Sequence, residues 1–124
     1  FDQVKATGHE RAAAADYKLI AAAGFRTARE CVRWPLVDLG RGQFDFASVQ
    51  PMIDAARAST VDVIWDLFHF GYPPTLNPLS RDFMHRFADY CGAAARYLAP
   101  RTDGPLWVTP VNEPSYLAFA AGEQ

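Results

Sequence analysis

Hydrophobic and polar positions along the chain alternate between two patterns, which predict helices and strands in turn. Ala-rich or amphipathic composition predicts helices over residues 9–23, 48–58 and 80–98. Apolar, β-branched and aromatic runs predict strands over residues 25–32, 61–68 and 106–111. Gly and Pro predict loops over residues 35–46 and 70–80. This order of elements favours an α/β fold with parallel strands joined by right-handed crossovers.

Polar residues recur at the ends of the predicted strands. Arg29, His69 and Glu113 each lie at or near the carboxyl end of a strand, at similar intervals along the chain. Ligands bind at that edge both in (β/α)8 barrels and in doubly wound sheets. No G-x-G-x-x-G motif follows the first strand, which weakens a dinucleotide-binding interpretation. A full barrel takes about 250 residues, so this chain corresponds to roughly half of one.

The composition limits the classes of function. The chain has 124 residues, of which 50% are hydrophobic and 14% aromatic, enough for one domain with a core. A net charge of −2 provides no basic surface for nucleic acid, and no apolar run is long enough to span a membrane. Cys31 and Cys91 lack zinc-type spacing. Because the chain starts with Phe1 and stops soon after its last strand, we expect truncation at both ends and leave localisation open.

The run from Trp107 to Tyr116 carries the strongest candidate chemistry. Its strand ends in Asn112, Glu113 and Pro114, which places a carboxylate beside an amide. Pro114 is expected to hold Glu113 extended and to discourage a helix from starting there. A strand-end carboxylate suits acid–base catalysis, although an exposed loop glutamate or a partner of an arginine is the alternative. Asn112 could bond a substrate hydroxyl or its own backbone in a turn.

His69 and Arg29 are the other candidates. His69 is interpreted as a substrate-binding imidazole or as a buried histidine bonded to a neighbour. Arg29 lies in an apolar strand, where it could hold a carboxylate ionised or form a salt bridge behind the sheet. Counting alternate residues places Glu30 and Asp66 on the face opposite to Arg29 and His69. We therefore interpret these two carboxylates as structural.

Taken together, three motifs resemble the family 1 glycoside hydrolases, retaining enzymes built on a (β/α)8 barrel. The family's second strand carries R-F-S-x-S-W, its third ends in L-x-H-W-x-x-P, and its fourth ends in N-E-P. The matching residues here are Arg29, Trp34, Leu67, His69, Pro73, Asn112, Glu113 and Pro114. Glu30, Cys31, Arg33 and Phe70 depart from the pattern, which favours a divergent branch. The resemblance covers roughly residues 9–122.

The resemblance implies a fold and a set of roles. Residues 1–124 would form a partial catalytic domain, the N-terminal half of a (β/α)8 barrel with about strands 2 to 4 and their helices. Glu113 would be the general acid/base, Asn112 and His69 would bind sugar hydroxyls, and Arg29 would keep the nucleophile ionised. That nucleophile, a glutamate after the seventh strand, is missing from this chain, and Glu123 is expected in the next helix. Retaining hydrolysis without metal or cofactor is therefore expected of the intact protein and not of this fragment.

Three other interpretations stay open. The chain could be a non-catalytic carbohydrate-binding or assembly module whose open barrel edges permit self-association. It could belong to another family of retaining barrels that shares the Asn-Glu pair, or it could be a generic α/β binding domain. Trp34 and Trp65 would stack on a sugar ring in the functional interpretations, or simply belong to the core. The sugar and its linkage are not predicted. We expect a carbohydrate partner and neither nucleic acid nor membrane.

Overall fold

The computed structural model describes residues 2–122 and shows helices alternating with strands around a small parallel sheet. The helices are α1 (Gln3–Thr7), α2 (His9–Ala22), α3 (Trp34–Val37), α4 (Gln50–Ser59), α5 (Arg81–Leu98) and α6 (Pro114–Gly122), and a 3-10 turn covers Ala99–Arg101. The strands are β1 (Thr27–Cys31), β2 (Asp38–Gly40), β3 (Gln43–Phe44), β4 (Asp62–Asp66) and β5 (Trp107–Thr109). The prediction for Glu123 lies outside the described residues.

Local signals in the sequence explain where the long helices begin and end. The Ser80 hydroxyl accepts a hydrogen bond from the backbone N–H of Phe83 at 3.2 Å, as expected of the predicted N-cap of α5. Pro51 lies in the first turn of α4, where its missing N–H costs no helical bond. Gly24 follows α2 with φ of 88°, a left-handed conformation that allows the chain to turn towards β1. These helices agree with the predicted ones to within about two residues at each end.

Three strands form a parallel sheet in the order β1-β4-β5, as the alternation of elements predicted. Cys31 lies opposite Asp66, and Asp66 lies opposite Thr109, so these residues share one face. Each strand is shorter than predicted. β5 ends at Thr109, immediately before Pro110, a residue type that is unusual inside a strand.

The prediction of a loop over residues 35–46 is wrong in part. This segment continues α3 and then forms an antiparallel hairpin of β2 and β3. The buried Asp38 organises it, because its carboxylate accepts hydrogen bonds from Trp34 Nε1 at 3.1 Å and from the Gly40 N–H at 2.8 Å. Arg86 of α5 lies 2.7 Å from the same carboxylate, which ties the hairpin to that helix.

An aromatic cluster forms the core behind the carboxyl ends of the strands. Trp34 is 1% exposed, and its ring centroid lies 5.1–5.6 Å from those of four other rings. The four rings belong to Phe68, Phe83, Phe87 and Tyr90. Trp65 is 3% exposed and also belongs to the core, so neither tryptophan presents its ring to a sugar.

Tyr90 connects this core to the carboxyl ends of β1 and β4. Its hydroxyl lies 3.1 Å from the Val32 carbonyl and 2.9 Å from the Leu67 carbonyl, just after β1 and β4. A single hydroxyl hydrogen shared between two carbonyl oxygens holds both segments against α5. The positions of the residues that follow these strands are therefore set by the core.

Within the described residues 2–122, the sheet edge formed by β5 is apolar and exposed to solvent. Trp107 is 60% exposed and Val108 is exposed as well, as are Tyr116 and Phe119 of the following helix α6. Exposed apolar edges of this kind are suited to pairing with further chain. Self-association through this edge stays a prediction. Within the described helices, none combines the length and apolar character needed to cross a bilayer.

Candidate active site

Four polar side chains from separate elements meet at the carboxyl end of the sheet. Arg29 projects from β1, Asp66 is the last residue of β4, His69 lies three residues further on, and Asn112 follows β5. Arg29 Nη2 lies 2.7 Å from Asp66 Oδ2 and 2.8 Å from Asn112 Oδ1. His69 Nδ1 lies 2.7 Å from the same Asp66 Oδ2. Two predicted site residues, Arg29 and His69, are thus brought together at Asp66, and a third, Asn112, joins them through Arg29.

The prediction that Asp66 faces away from Arg29 and His69 is wrong. Asp66 pairs with Cys31, which shares a face with Arg29, so the register of the two strands places both charges on one side of the sheet. β4 also ends at Asp66, and the alternation of faces does not extend to His69. The sequence did contain a signal that Asp66 belongs to the site, because it is a charged residue at the end of an apolar strand. The same argument singled out Arg29.

Asn112 is held from both its backbone and its side chain. Its N–H donates to the Phe68 carbonyl at 2.8 Å, and its Oδ1 accepts from Arg29. This geometry differs from the turn in which the side chain would bond its own backbone. Because a guanidinium only donates, the amide oxygen must face Arg29. The amide N–H2 is then the part of Asn112 that can bond a ligand.

Glu113 has a backbone conformation that differs from the predicted one. Its φ is 45°, and α6 begins directly after it at Pro114, with the Leu117 N–H donating to the Glu113 carbonyl at 3.1 Å. The prediction that Pro114 would keep Glu113 extended and prevent a helix is therefore wrong. Proline is favoured at the first helical position because its φ is already helical and its missing N–H is not needed. The Glu113 side chain is exposed at the start of α6.

Backbone strain marks two of the loops at this edge. Phe70, next to His69, has φ of 63°, and Glu113 has φ of 45°. A left-handed conformation costs a non-glycine residue about 1–2 kcal/mol, and such strain clusters at functional sites. The ring centroids of Phe70 and Tyr116 are 5.3 Å apart in an edge-to-face arrangement, which connects the loop of Phe70 to the first turn of α6, directly after Glu113.

Two cavities adjoin His69. One of about 280 Å³ is bordered by Arg29, Asp66 and His69. The other, of about 420 Å³, is mainly apolar and includes Pro35 and Phe70 in its wall. His69 therefore stands between a charged cavity and an apolar one, an arrangement suited to a ligand with a polar and an apolar part.

A second polar cluster joins α2 to β1, and its members His9 and Glu30 border the same 280 Å³ cavity as Arg29. Glu30 Oε2 is 3.0 Å from His9 Nε2 and accepts a hydrogen bond from the Tyr17 hydroxyl at 3.1 Å. His9 Nδ1 lies 2.6 Å from an oxygen of Asp16. Burial disfavours the charged form of His9, but the two carboxylates outweigh it and raise the pKa of His9. These contacts agree with the structural interpretation of Glu30.

This cluster makes the stability of the fold depend on pH. We expect the free energy of unfolding to fall as pH rises from the ordinary histidine pKa, about 6.5, through the raised pKa of folded His9. Below that window His9 is protonated in both states and its stabilisation is fully present. Urea unfolding at a series of pH values should show this loss in the wild type and not in His9→Asn. Replacing the exposed His85 of α5 should leave this loss of stability unchanged. The same loss in His9→Asn as in the wild type would contradict the assignment.

A curated protein shows clear sequence similarity to this chain. It is "Thermostable beta-glucosidase B" of Thermobispora bispora, which is 32% identical over 124 residues and is matched over 94% of this chain. The alignment covers 26% of that protein, so the chain spans about a quarter of the length of this relative. No protein-family model matches the chain.

Solved structures show the same fold. The "AHE enzyme from Alicyclobacillus herbarius" aligns with a TM-score of 0.78 at 22% identity, over 90% of this chain and 26% of that one. The "Family 1 b-glucosidase from Thermotoga maritima" aligns with a TM-score of 0.76 at 21% identity, again over 90% and 26%. The predicted resemblance and the predicted fold, part of a barrel glycosidase with parallel strands, are confirmed. The chain covers about a quarter of each of these relatives, less than the half of a minimal barrel that its length predicted.

Proposed function

We propose that this relative of the family 1 glycoside hydrolases supplies the acid/base part of an enzyme that hydrolyses O-glycosides with retention. Residues 1–124 would then be one portion of a larger catalytic domain. The observation that carries the proposal is the meeting of Arg29 and His69 at Asp66, with Asn112 bonded to Arg29, at the carboxyl edge of a parallel sheet. Glu113 follows Asn112 directly, which brings a carboxylate to the same edge.

The proposed reaction is a double displacement. Glu113 donates its proton to the glycosidic oxygen as the bond between that oxygen and the anomeric carbon breaks. A carboxylate from outside this chain forms a bond to the anomeric carbon, giving a glycosyl-enzyme. Glu113 then takes a proton from water, which displaces the carboxylate and releases the sugar. In such enzymes the two carboxyl groups lie about 5–5.5 Å apart.

The other site residues would bind and orient. Asn112 would bond the 2-hydroxyl of the sugar at the cleavage site, and His69 would bond another hydroxyl of the same sugar. Arg29 would favour the ionised form of the nucleophile, because a nearby guanidinium stabilises a carboxylate. Its half-exposed guanidinium has five N–H donors, so donors remain after the contacts with Asp66 and Asn112. The mechanism requires no metal or cofactor.

The 124-residue chain alone is expected to show no turnover of β-glucosides, which are chosen for a first test because its relatives are β-glucosidases. Double displacement needs a second carboxylate close to Glu113, and we propose that the rest of the barrel provides it. The assay compares the purified chain with the intact protein under identical conditions. Turnover by the chain that disappears in Glu113→Gln would contradict this proposal.

An assembly or carbohydrate-binding role without catalysis is the second candidate. The exposed apolar edge at Trp107 and Val108 favours it, since this surface could pair with a complementary barrel segment. In that case the intact protein would bind glycosides without releasing sugar. Calorimetric titration with a β-glucoside, followed by analysis of the same sample for free sugar, separates the two candidates.

A further inference from the structure

Asp66 is the residue on which the candidate site converges, although nothing in the family resemblance gives it a role. We propose that Asp66 is a positioning residue that fixes the hydrogen-bonding group His69 presents to a sugar and holds in place the Arg29 guanidinium that orients Asn112. The inference rests on the proposed function for its substrate, a glycoside. Its structural part concerns only the site residues and can be tested without any substrate.

The charge state of Asp66 follows from its neighbours. Its side chain is 2% exposed, and a buried charge must be paired to persist. Arg29 supplies the pair at 2.7 Å, and a guanidinium does not lose its proton in proteins. Asp66 is therefore ionised, and an ionised carboxylate can only accept hydrogen bonds.

This fixes the tautomer of His69. Because Asp66 Oδ2 is an acceptor at 2.7 Å, His69 Nδ1 must carry the hydrogen. In the neutral imidazole Nε2 is then unprotonated and accepts hydrogen bonds. His69 borders both cavities, so it offers an acceptor to the donor hydrogen of a sugar hydroxyl.

Asn112 is set to the opposite polarity through Arg29. The guanidinium that pairs with Asp66 also donates to Asn112 Oδ1 at 2.8 Å, which leaves the Nδ2 hydrogens for a ligand. The buried Asp66 thus sets an acceptor at His69, and the Arg29 guanidinium that it holds sets a donor at Asn112. A sugar is recognised when one hydroxyl accepts from Asn112 and another donates to His69.

The contacts of Asp66 differ from those of a structural aspartate. Asp38 supports its hairpin through the Gly40 N–H, Trp34 and Arg86. The side-chain bonds of Asp66 go instead to the site residues Arg29 and His69, and both meet at Oδ2. Its other oxygen, Oδ1, is buried without a hydrogen-bond partner within residues 2–122. A single oxygen of Asp66 thus accepts the hydrogen bonds from both Arg29 and His69.

The decisive experiment is long-range ¹H–¹⁵N NMR of the histidine rings in this chain at a pH where His69 is neutral. The spectra of His9→Asn and His85→Asn identify the His69 signals by elimination. The wild type should show the Nδ1–H tautomer because of its contact with Asp66. An unrestrained imidazole favours the Nε2–H tautomer instead. An Nε2–H tautomer in the wild type would overturn the proposal without any variant at Asp66.

Two variants sharpen the test. Asp66→Ala should shift His69 towards Nε2–H, whereas Asp66→Asn keeps one acceptor oxygen and should retain Nδ1–H. Asp62→Ala, an exposed position in the same strand, is the matched control and should leave the tautomer unchanged. The Nδ1–H tautomer persisting in a folded Asp66→Ala chain would also overturn the proposal.

Activity of the intact protein provides an independent readout. Asp66→Ala should lower kcat/KM for glycoside hydrolysis by about 10²-fold, the size of effect expected from misplaced binding groups, and Asp66→Asn should lower it less. If the NMR result is as expected but the intact protein hydrolyses no glycoside, the proposed function fails and the positioning role stands. If hydrolysis is found but His69 is the Nε2–H tautomer, the positioning role fails alone.

Discussion

Replacing Glu113 by glutamine in the intact protein is expected to lower kcat/KM for an alkyl β-glucoside by about 10²- to 10⁴-fold, the usual contribution of a general acid or base. Glutamine keeps the size and polarity of the side chain but has no proton to donate to the glycosidic oxygen. Folding should be preserved, because Glu113 is exposed and its helix-starting contact is made by the backbone carbonyl. Steady-state kinetics with purified wild type and variant measures the effect.

The leaving group distinguishes loss of acid catalysis from loss of binding. In an aryl glycoside whose phenol is strongly acidic, the phenolate leaves without being protonated. Formation of the glycosyl-enzyme from such a substrate should therefore be slowed far less in Glu113→Gln. Asp103→Asn is the control for removing a carboxylate, because Asp103 is 81% exposed and its ion-pair partner is Arg57 of α4, which is not a site residue. Equal losses for alkyl and activated aryl substrates would contradict the assignment of Glu113 as the acid.

Trp34→Ala is expected to reduce the free energy of unfolding by about 3–5 kcal/mol, the range for large-to-small changes of buried aromatic residues. Trp34 packs against four aromatic rings, and its Nε1 donates to the buried Asp38. The substitution would leave a cavity and remove one of the hydrogen bonds that hold the hairpin. Urea unfolding of the chain followed by circular dichroism measures the change.

Two further variants separate packing from exposure. Trp34→Phe keeps an aromatic ring in the core and should cost less than Trp34→Ala. Leu79→Ala removes an exposed side chain from the loop before α5 and should change stability by no more than about 0.5 kcal/mol. A loss for Trp34→Ala no larger than that for Leu79→Ala would mean that the aromatic cluster does not support the fold.

The helices and the parallel arrangement could be predicted because local signals specify them. Ser80, Pro51 and Gly24 each act within a few residues of their own position, so their effect can be inferred from the sequence. The hairpin of β2 and β3 could not be predicted in the same way. It depends on contacts of Asp38 with Trp34 and with Arg86, a residue of a distant helix.

The candidate site shows the same limit. The sequence shows which residues of one strand share a face. The register between two strands decides which of their residues face each other, and the sequence alone does not show it. The register of β1 and β4 brings Asp66 to the face of Arg29, and this relation reversed the interpretation of Asp66. At Glu113 two local effects of Pro114 compete, since proline disfavours helix in the residue before it but favours a helix that begins on itself. The fold resolves this with a left-handed Glu113.

The stereochemistry of the first product tests the proposed retaining hydrolysis most directly. Proton NMR can follow the sugar that the intact protein releases from an aryl β-glucoside before the anomers equilibrate. The account predicts that the β anomer appears first and that the α anomer arises later by mutarotation. Initial release of the α anomer would show inversion at the anomeric carbon and would contradict a double displacement in which Glu113 is first the acid and then the base.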